Sequence, residues 1–165
     1  MMSISTPVGT DPDTFRSVMG CLPTGVAVVT ADGGDGQPVG CTVSSVTSLS
    51  IRPPSLLVSL HTGSRTLARI RESHRFGLNI LAWTQRELCR RFSSAPADRR
   101  FEGIRYEYQL GVPLLPDAMA SLACAVLDDI EIADHTLVIG QPNWHNFDDA
   151  ANPVVFFRSG FRQLM

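Results

Sequence analysis

The hexapeptide His61-Thr62-Gly63-Ser64-Arg65-Thr66 sets a guanidinium where the pattern also predicts a helix N-terminus. Free helical N–H groups and an arginine both favour negative charge, so the segment suits a phosphate. A capped helix beside a solvated arginine is the alternative use of the same residues. A second donor-rich stretch runs from Pro38 to Pro54, with Gly40, Thr42, Ser44, Ser45, Thr47, Ser48 and Ser50 in it. Read as one extended strand, it places Val39, Cys41 and Val43 on one face and Gly40, Thr42 and Ser44 on the other. A smooth, hydroxyl-bearing face of this kind can lie against a flat polar ligand and donate to its edge. It can also be an edge strand whose hydroxyls meet water.

Other reactive residue types form no constellation. Cys21, Cys41, Cys89 and Cys124 are scattered, without CxxC or HxxxH spacing, so no metal site and no redox pair is expected. Buried thiols of a reducing compartment account for them, and a cytoplasmic location is the corresponding expectation. His61, His74, His135 and His145 are dispersed, and spacing alone supports no Ser-His-Asp arrangement. Asn79, between Leu78 and Ile80, is either a satisfied buried amide or a donor to a ligand.

The chain of 165 residues carries a net charge of −2 and no basic run, which argues against a nucleic-acid surface. It contains no lysine, so every basic side chain other than histidine is an arginine. No apolar run is long enough to span a bilayer, and the N-terminal residues do not have the pattern of a signal peptide.

The elements that must position these groups follow from periodicity. Residues 1–12 read as a flexible arm and 13–165 as a single domain. Phe15, Val18, Met19 and Leu22 fall at helical spacing, and Pro23-Thr24-Gly25 ends that helix. Val26–Thr30 is a strand, joined by the turn Asp32–Gly36 to the hydroxyl-rich strand; Pro53-Pro54 breaks the latter before a further strand at Ser55–Leu60. Ser64 caps a helix to about Glu72, Phe76–Leu81 is a buried strand, and Thr84-Gln85-Arg86-Glu87 fits a capping box for a helix to about Phe92. Ser93–Pro116 reads as loop-rich. Leu122–Ile132, Thr136–Gly140 and Val154–Arg158 supply the last strands. About seven strands with a few short helices predict a mainly β fold, a barrel with peripheral α-helices.

Taken in order, these pieces resemble the flavin reductases that serve two-component flavin-dependent monooxygenases, whose fold is the FMN-binding split β-barrel of Greek-key type. The resemblance runs from Phe15 to Leu164. Its motifs are Phe15-Arg16-Ser17-Val18-Met19, Pro23–Thr30, Gly40-Cys41-Thr42-Val43-Ser44-Ser45, Ser48-Leu49-Ser50 with Pro53-Pro54, Phe76–Leu81 with Gln85 and Arg91-Phe92, Asp134-His135-Thr136, and Phe156-Phe157-Arg158 with Gly160.

The resemblance implies a homodimer with FMN or FAD at its interface, NADH or NADPH as co-substrate, and an oxygenase component that receives reduced flavin. It implies that Val39, Gly40, Cys41, Thr42, Ser44 and Ser45 lie along the flavin, that Ser59, Leu60, His61, Arg65 and Thr66 cradle its ribityl-phosphate side, and that Arg91 and Phe92 make a further contact. His135 and Phe156, Phe157, Arg158 and Ser159 would face the nicotinamide, with His135 orienting the reaction. The family's usual Gly-Asp-His stands here as Ala133-Asp134-His135, and polar residues Gln141–Asn146 replace its apolar run after Gly140. Two other functions fit the same pieces. One is a flavoenzyme that retains its flavin and acts directly on a small organic substrate, with Trp144, His145 and Asn146 as a rim. The other is a non-catalytic flavin-binding module.

Overall fold

A computed structural model describes residues 9–164. The first helix, α1 (Pro12–Met19), is capped by Asp11, whose carboxylate accepts the N–H groups of Asp13 and Thr14 at 3.1 and 3.0 Å. It starts one residue before the expected boundary, and most of the expected arm lies outside the described residues. The helix ends before Leu22, so its apolar stripe is Phe15, Val18 and Met19; these and Leu22 are between 46% and 61% exposed among the described residues.

The strands are β1 (Thr24–Gly25), β2 (Ala27–Ala31), β3 (Val39–Val43), β4 (Val46–Ile51), β5 (Pro54–His61), β6 (Arg75–Ile80), β7 (Glu107–Gln109), β8 (Val112–Leu114), β9 (Ala120–Ile132), β10 (His135–Phe147), β11 (Val154–Phe157) and β12 (Gly160–Gln163). Two more helices, α2 (Arg65–Ser73) and α3 (Arg86–Ser94), cross between them. Seven strands form one sheet in the order β3-β2-β6-β9-β10-β5-β4; β1, β11 and β12 form a second sheet, and β7 with β8 a hairpin. All the described pairings are antiparallel.

The expected single strand from Pro38 to Pro54 is two. It breaks at Ser44-Ser45, and its halves β3 and β4 occupy opposite edges of the large sheet. Two residues can join those edges only if the sheet curls until they approach. No ladder closes the gap; the N–H of Ser59 donates to Ser45 O at 3.0 Å, one step beyond the Val46–Val58 pair of the β4–β5 ladder. The barrel is therefore split along one seam.

β2 is buried along its whole length because both its faces are covered. Ala27, Val29 and Ala31 join an inner core with Val58, Leu67, Ile70, Phe76, Leu78 and Val138, closed on one side by α2. Val26 and Val28 face a second core with Leu81, Cys89, Phe92, Phe101 and Val154 beneath α3. Fully burying a side chain such as Phe76 contributes about 1.5–3 kcal/mol. Its ring lies where a Cβ on Gly140 would sit, 2.4 Å from Cζ, which accounts for glycine at that point of β10.

Asn79 is a satisfied buried amide. Its Nδ2 donates to Val28 O at 3.0 Å, and its Oδ1 accepts from Leu115 N–H at 2.7 Å and from the Ser121 hydroxyl at 3.3 Å. This one side chain ties β2, β6, β9 and the chain after β8 together. The region Ser93–Pro116, expected as loop, contains the β7–β8 hairpin, and the C-terminus adds β12. Both are three or four residues long, too short for period-two alternation to stand out.

Candidate flavin-type cleft at the barrel seam

α2 begins where the sequence placed it. The Ser64 hydroxyl accepts the Leu67 N–H at 3.1 Å, and the helix ends at His74, left-handed at φ 53°, whose N–H returns to Ile70 O. His74 is thus a helix cap. At the other end of this crossing, His61 closes β5, directly opposite His135 in the antiparallel register with β10. The two imidazoles meet edge to face at 5.8 Å.

Each ring is oriented by a neighbour. His61 Nδ1 accepts the Gly63 N–H at 3.1 Å, so that nitrogen carries no proton and the neutral ring holds its proton on Nε2. His135 Nδ1 lies 2.8 Å from Asp134 Oδ1. The hydrogen bond to His135, reinforced by the imidazole's charge, holds the Asp134 carboxyl below its usual range.

These residues stand at one end of a cleft of about 390 Å³ that follows the seam, lined by Cys41–Ser45, Ser59–His61, Ser64, Arg100 and His135. One wall is the end of β3 with Ser44-Ser45; the other is the end of β5 with the start of β10. Arg100 reaches in from the chain after α3. Its Nη1 donates to Gly40 O at 2.8 Å and its Nε to Ala95 O at 3.0 Å, which fixes the guanidinium and leaves Nη2 for a ligand. No carboxylate lines the cleft. A lining of hydroxyls, two imidazoles and a guanidinium presents donors, which fits the acceptor-rich pyrimidine edge and the phosphate of a flavin.

The expected site residues divide. Val39 and Gly40 lead into the cleft wall without lining it, while Cys41, Thr42, Ser44, Ser45, Ser59, Leu60, His61 and His135 converge there. The Cys41 thiol turns away towards Thr66; burial raises its pKa, against the smaller effects of the Thr66 hydrogen bond and the Arg100 charge. Gly40 does permit a close approach, but to this chain's own rings: an added Cβ would stand 3.2 Å from both Phe92 and Phe101. Thr42 likewise turns its hydroxyl to Cys89 O under α3. The hydroxyl face of β3 is therefore covered as far as Thr42 and opens only at Ser44.

Four further expectations change. Thr66 and Phe92 are buried, at 3% and 0% exposure, and their side chains belong to the core. Arg91 braces the turn after α3, donating to the carbonyls of Arg99, Arg100 and Glu102. Arg65 lines a larger neighbouring cleft with Arg99. Phe156 and Phe157 lie in the second sheet, and Arg158 and Ser159 form its left-handed turn at φ 47° and 59°; none of the four lines the cleft with His135 in this chain. Arg100 was missed because it is one of several arginines in a segment without periodicity, and only the fold shows which of them turns inward.

Among the described residues no helix is long and apolar enough to cross a membrane. Nor is any group of three or more His, Cys, Asp or Glu side chains placed to hold a metal ion.

Comparison with known proteins converges on one group. Residues 19–165 match the flavin reductase like domain. The chain is 44% identical over 133 residues to a flavin reductase (NADH) of Kitasatospora aureofaciens, covering 79% of this chain and 69% of that protein. It is 36% identical over 151 residues to the reductase component of a 4-nitrophenol 4-monooxygenase/4-nitrocatechol 2-monooxygenase of Rhodococcus opacus, covering 92% and 80%. Its fold superposes on the styrene monooxygenase flavin reductase of Pseudomonas putida S12 with a TM-score of 0.84 and 32% identity, covering 92% and 97% of the two chains.

Proposed function

The chain belongs to the flavin reductase-like family, and we propose that its seam cleft holds the flavin ring while NADH or NADPH approaches at the His61–His135 edge. As a flavin reductase it supplies reduced flavin to a separate oxygenase component. The observation that carries the placement is a cleft lined by serine hydroxyls, two imidazoles and a guanidinium and by no carboxylate, with Arg100 held by two backbone carbonyls at its edge.

Bound flavin supplies the hydride acceptor, N5, and the reduced nicotinamide supplies the donor carbon, C4. No side chain need act as a nucleophile. Ser44, Ser45 and Ser59 offer hydroxyls from opposite walls and orient the ring's polar edge. Arg100 offers positive charge to whichever ligand atoms gain electron density. His135, held by Asp134, presents its remaining ring nitrogen to the mouth of the cleft and positions the nicotinamide. The polar segment Gln141–Asn146 lies off the cleft: Trp144 packs on Val112, Leu114 and Ala123. That arrangement disfavours a substrate rim built from Trp144, His145 and Asn146.

The test is reduction of added FMN or FAD by NADH and by NADPH, followed anaerobically by bleaching of the flavin absorbance. Saturable bleaching is expected. Flavin binding without bleaching by either nucleotide would leave a binding module in place of a reductase.

The active form is proposed to be a homodimer. The apolar stripe of α1 is left exposed among the described residues, and the edge strand β4 exposes Leu49 and Ile51; such surfaces are covered by association, most often two-fold. Light scattering at micromolar concentration is expected to give twice the chain mass, and a monomer that binds flavin normally would overturn this. The unpaired cysteines fit a cytoplasmic location.

A further inference from the structure

Arg100 reaches the seam cleft from a stretch of chain that no ladder supports. Between the end of α3 at Ser94 and the start of β7 at Glu107 there is no strand, only a single turn of 3-10 helix at Ala97–Arg99. Its backbone is tied from outside. The guanidinium of Arg91, in the last turn of α3, donates from Nε to Arg100 O at 2.8 Å and from Nη2 to Arg99 O at 3.0 Å and to Glu102 O. Three carbonyls converge on one planar fork, a match that an ammonium group lacks the geometry to make. Neither Arg91 nor Arg100 enters an ion pair among the described residues, so main-chain oxygens receive both charges.

These ties close into a circuit. The Thr42 hydroxyl of β3 donates to Cys89 O of α3 at 2.8 Å. α3 carries Arg91, Arg91 holds the segment 99–102, and Arg100 returns to β3 by donating to Gly40 O at 2.8 Å. The circuit thus begins and ends two residues apart on the strand that forms one wall of the cleft. Phe101 pins it further, 8% exposed and edge to face with Phe92 at 4.8 Å, so consecutive side chains at 100 and 101 are sent to the cleft and to the core. Arg91 itself lines neither the seam cleft nor its larger neighbour. A long side chain amplifies a small backbone shift, and a binding group left about 1 Å loose by its supports loses its contact.

We propose that Arg91 is a positioning residue for flavin binding: it touches no ligand and acts by holding the segment that aims Arg100. This rests on the placement of the flavin beside Arg100. Two other roles make different predictions. A long-range attraction for an anionic flavin needs only the charge of Arg91, and a purely structural role needs no connection to Arg100.

The test is a double-mutant cycle read by flavin fluorescence titration, with FMN and separately with FAD. Arg100→Ala should weaken binding about tenfold, the loss of one charge-assisted contact. Arg91→Met should weaken it about fivefold, and Arg91→Lys nearly as much, because lysine keeps the charge and loses the fork. In the Arg100→Ala background the Arg91→Met change should cost less than about twofold, since the group it aims is gone. Urea midpoints taken alongside separate affinity from stability, and if Arg91→Met does not fold, the cycle is run with Arg91→Lys. Wild-type affinity in Arg91→Lys with a loss in Arg91→Met would overturn the inference in favour of charge alone. Additive losses in the double variant would overturn it in favour of a role independent of Arg100, and an unchanged titration in Arg91→Met would show that the brace does not bear on binding. Unchanged binding in Arg100→Ala would instead remove the placement of the flavin beside Arg100, and this inference with it.

Discussion

The ribbon of β9 and β10 runs the length of the molecule, and its two ends are built differently. From His135 to Ile139, β10 lies between β9 and β5, in unbroken register with both; at Gly140 it still pairs with β5, but its register with β9 has shifted. From Gln141 to Phe147 it keeps only β9, with a further register shift after Pro142. The first end is held on both sides and sets His135 opposite His61 in the cleft. The second end has freedom to bend, tolerates Pro142 on an unpaired edge, and turns Trp144 onto the β7–β8 hairpin. One strand can therefore carry a fixed chemical group at one end and a looser polar surface at the other. A substitution beyond Gly140 should cost packing and leave the cleft's donors in place.

Four measurements break or sharpen this contrast. The largest effect is expected at the fixed end. His135→Ala should slow hydride transfer about a hundredfold, because transfer depends on near-attack geometry, and should leave flavin affinity nearly unchanged. Stopped-flow bleaching and equilibrium titration separate the two; lost affinity with normal transfer would put the flavin and nicotinamide in exchanged positions. At the junction between the two ends, Gly140→Ala drives a methyl group into the Phe76 ring and should destabilise the fold by about 1–3 kcal/mol in urea unfolding. A neutral result would mean that the ribbon yields at that point.

Trp144→Ala, at the loose end, should cost about 1 kcal/mol, less than a fully buried tryptophan, and leave turnover at saturating flavin within about twofold. A tenfold fall in kcat would bring the far end into the active site. The smallest effect is on pH dependence. Burial raises the Cys124 thiol, in the part of β9 that faces Gly140, from 9.0 to about 12, and the Cys89 thiol beneath α3 from 9.0 to about 11. The folded protein keeps these protons where the unfolded chain releases them. The stability they confer is therefore complete at neutral pH and drains away as pH rises from 9.0 through about 11 and 12. The urea midpoint should fall over that interval, and the fall should be shallower in Cys124→Ala.

The parts legible in the sequence were those whose signal is local. The Ser64 cap, the buried run of β2 and the break at Pro53-Pro54 each announce themselves within a few residues. The division of the hydroxyl stretch at Ser44-Ser45 does not, since both halves are extended and only pairing sends them to opposite edges. The same holds at the site. His61, Ser44 and Ser45, proposed from motif and type, line one cleft, whereas Arg100 enters the candidate set only once Gly40 O and Ala95 O are seen to hold it beside them. Phe92 and Thr66 show the converse: a residue that neighbours candidate site positions in sequence can turn its side chain into the core.

The seam has a thermodynamic consequence. No ladder joins β3 to β5 across it, so a ligand that touches both walls acts as the missing rungs. Binding to the folded state alone stabilises it by RT ln(1 + [L]/Kd), about 2.7 kcal/mol at a hundredfold excess over Kd. The melting temperature should then climb with flavin concentration. The amides at the end of β3, on one wall of the gap, should report the stapling as slowed hydrogen exchange, with amides inside the central ladders following only the global gain.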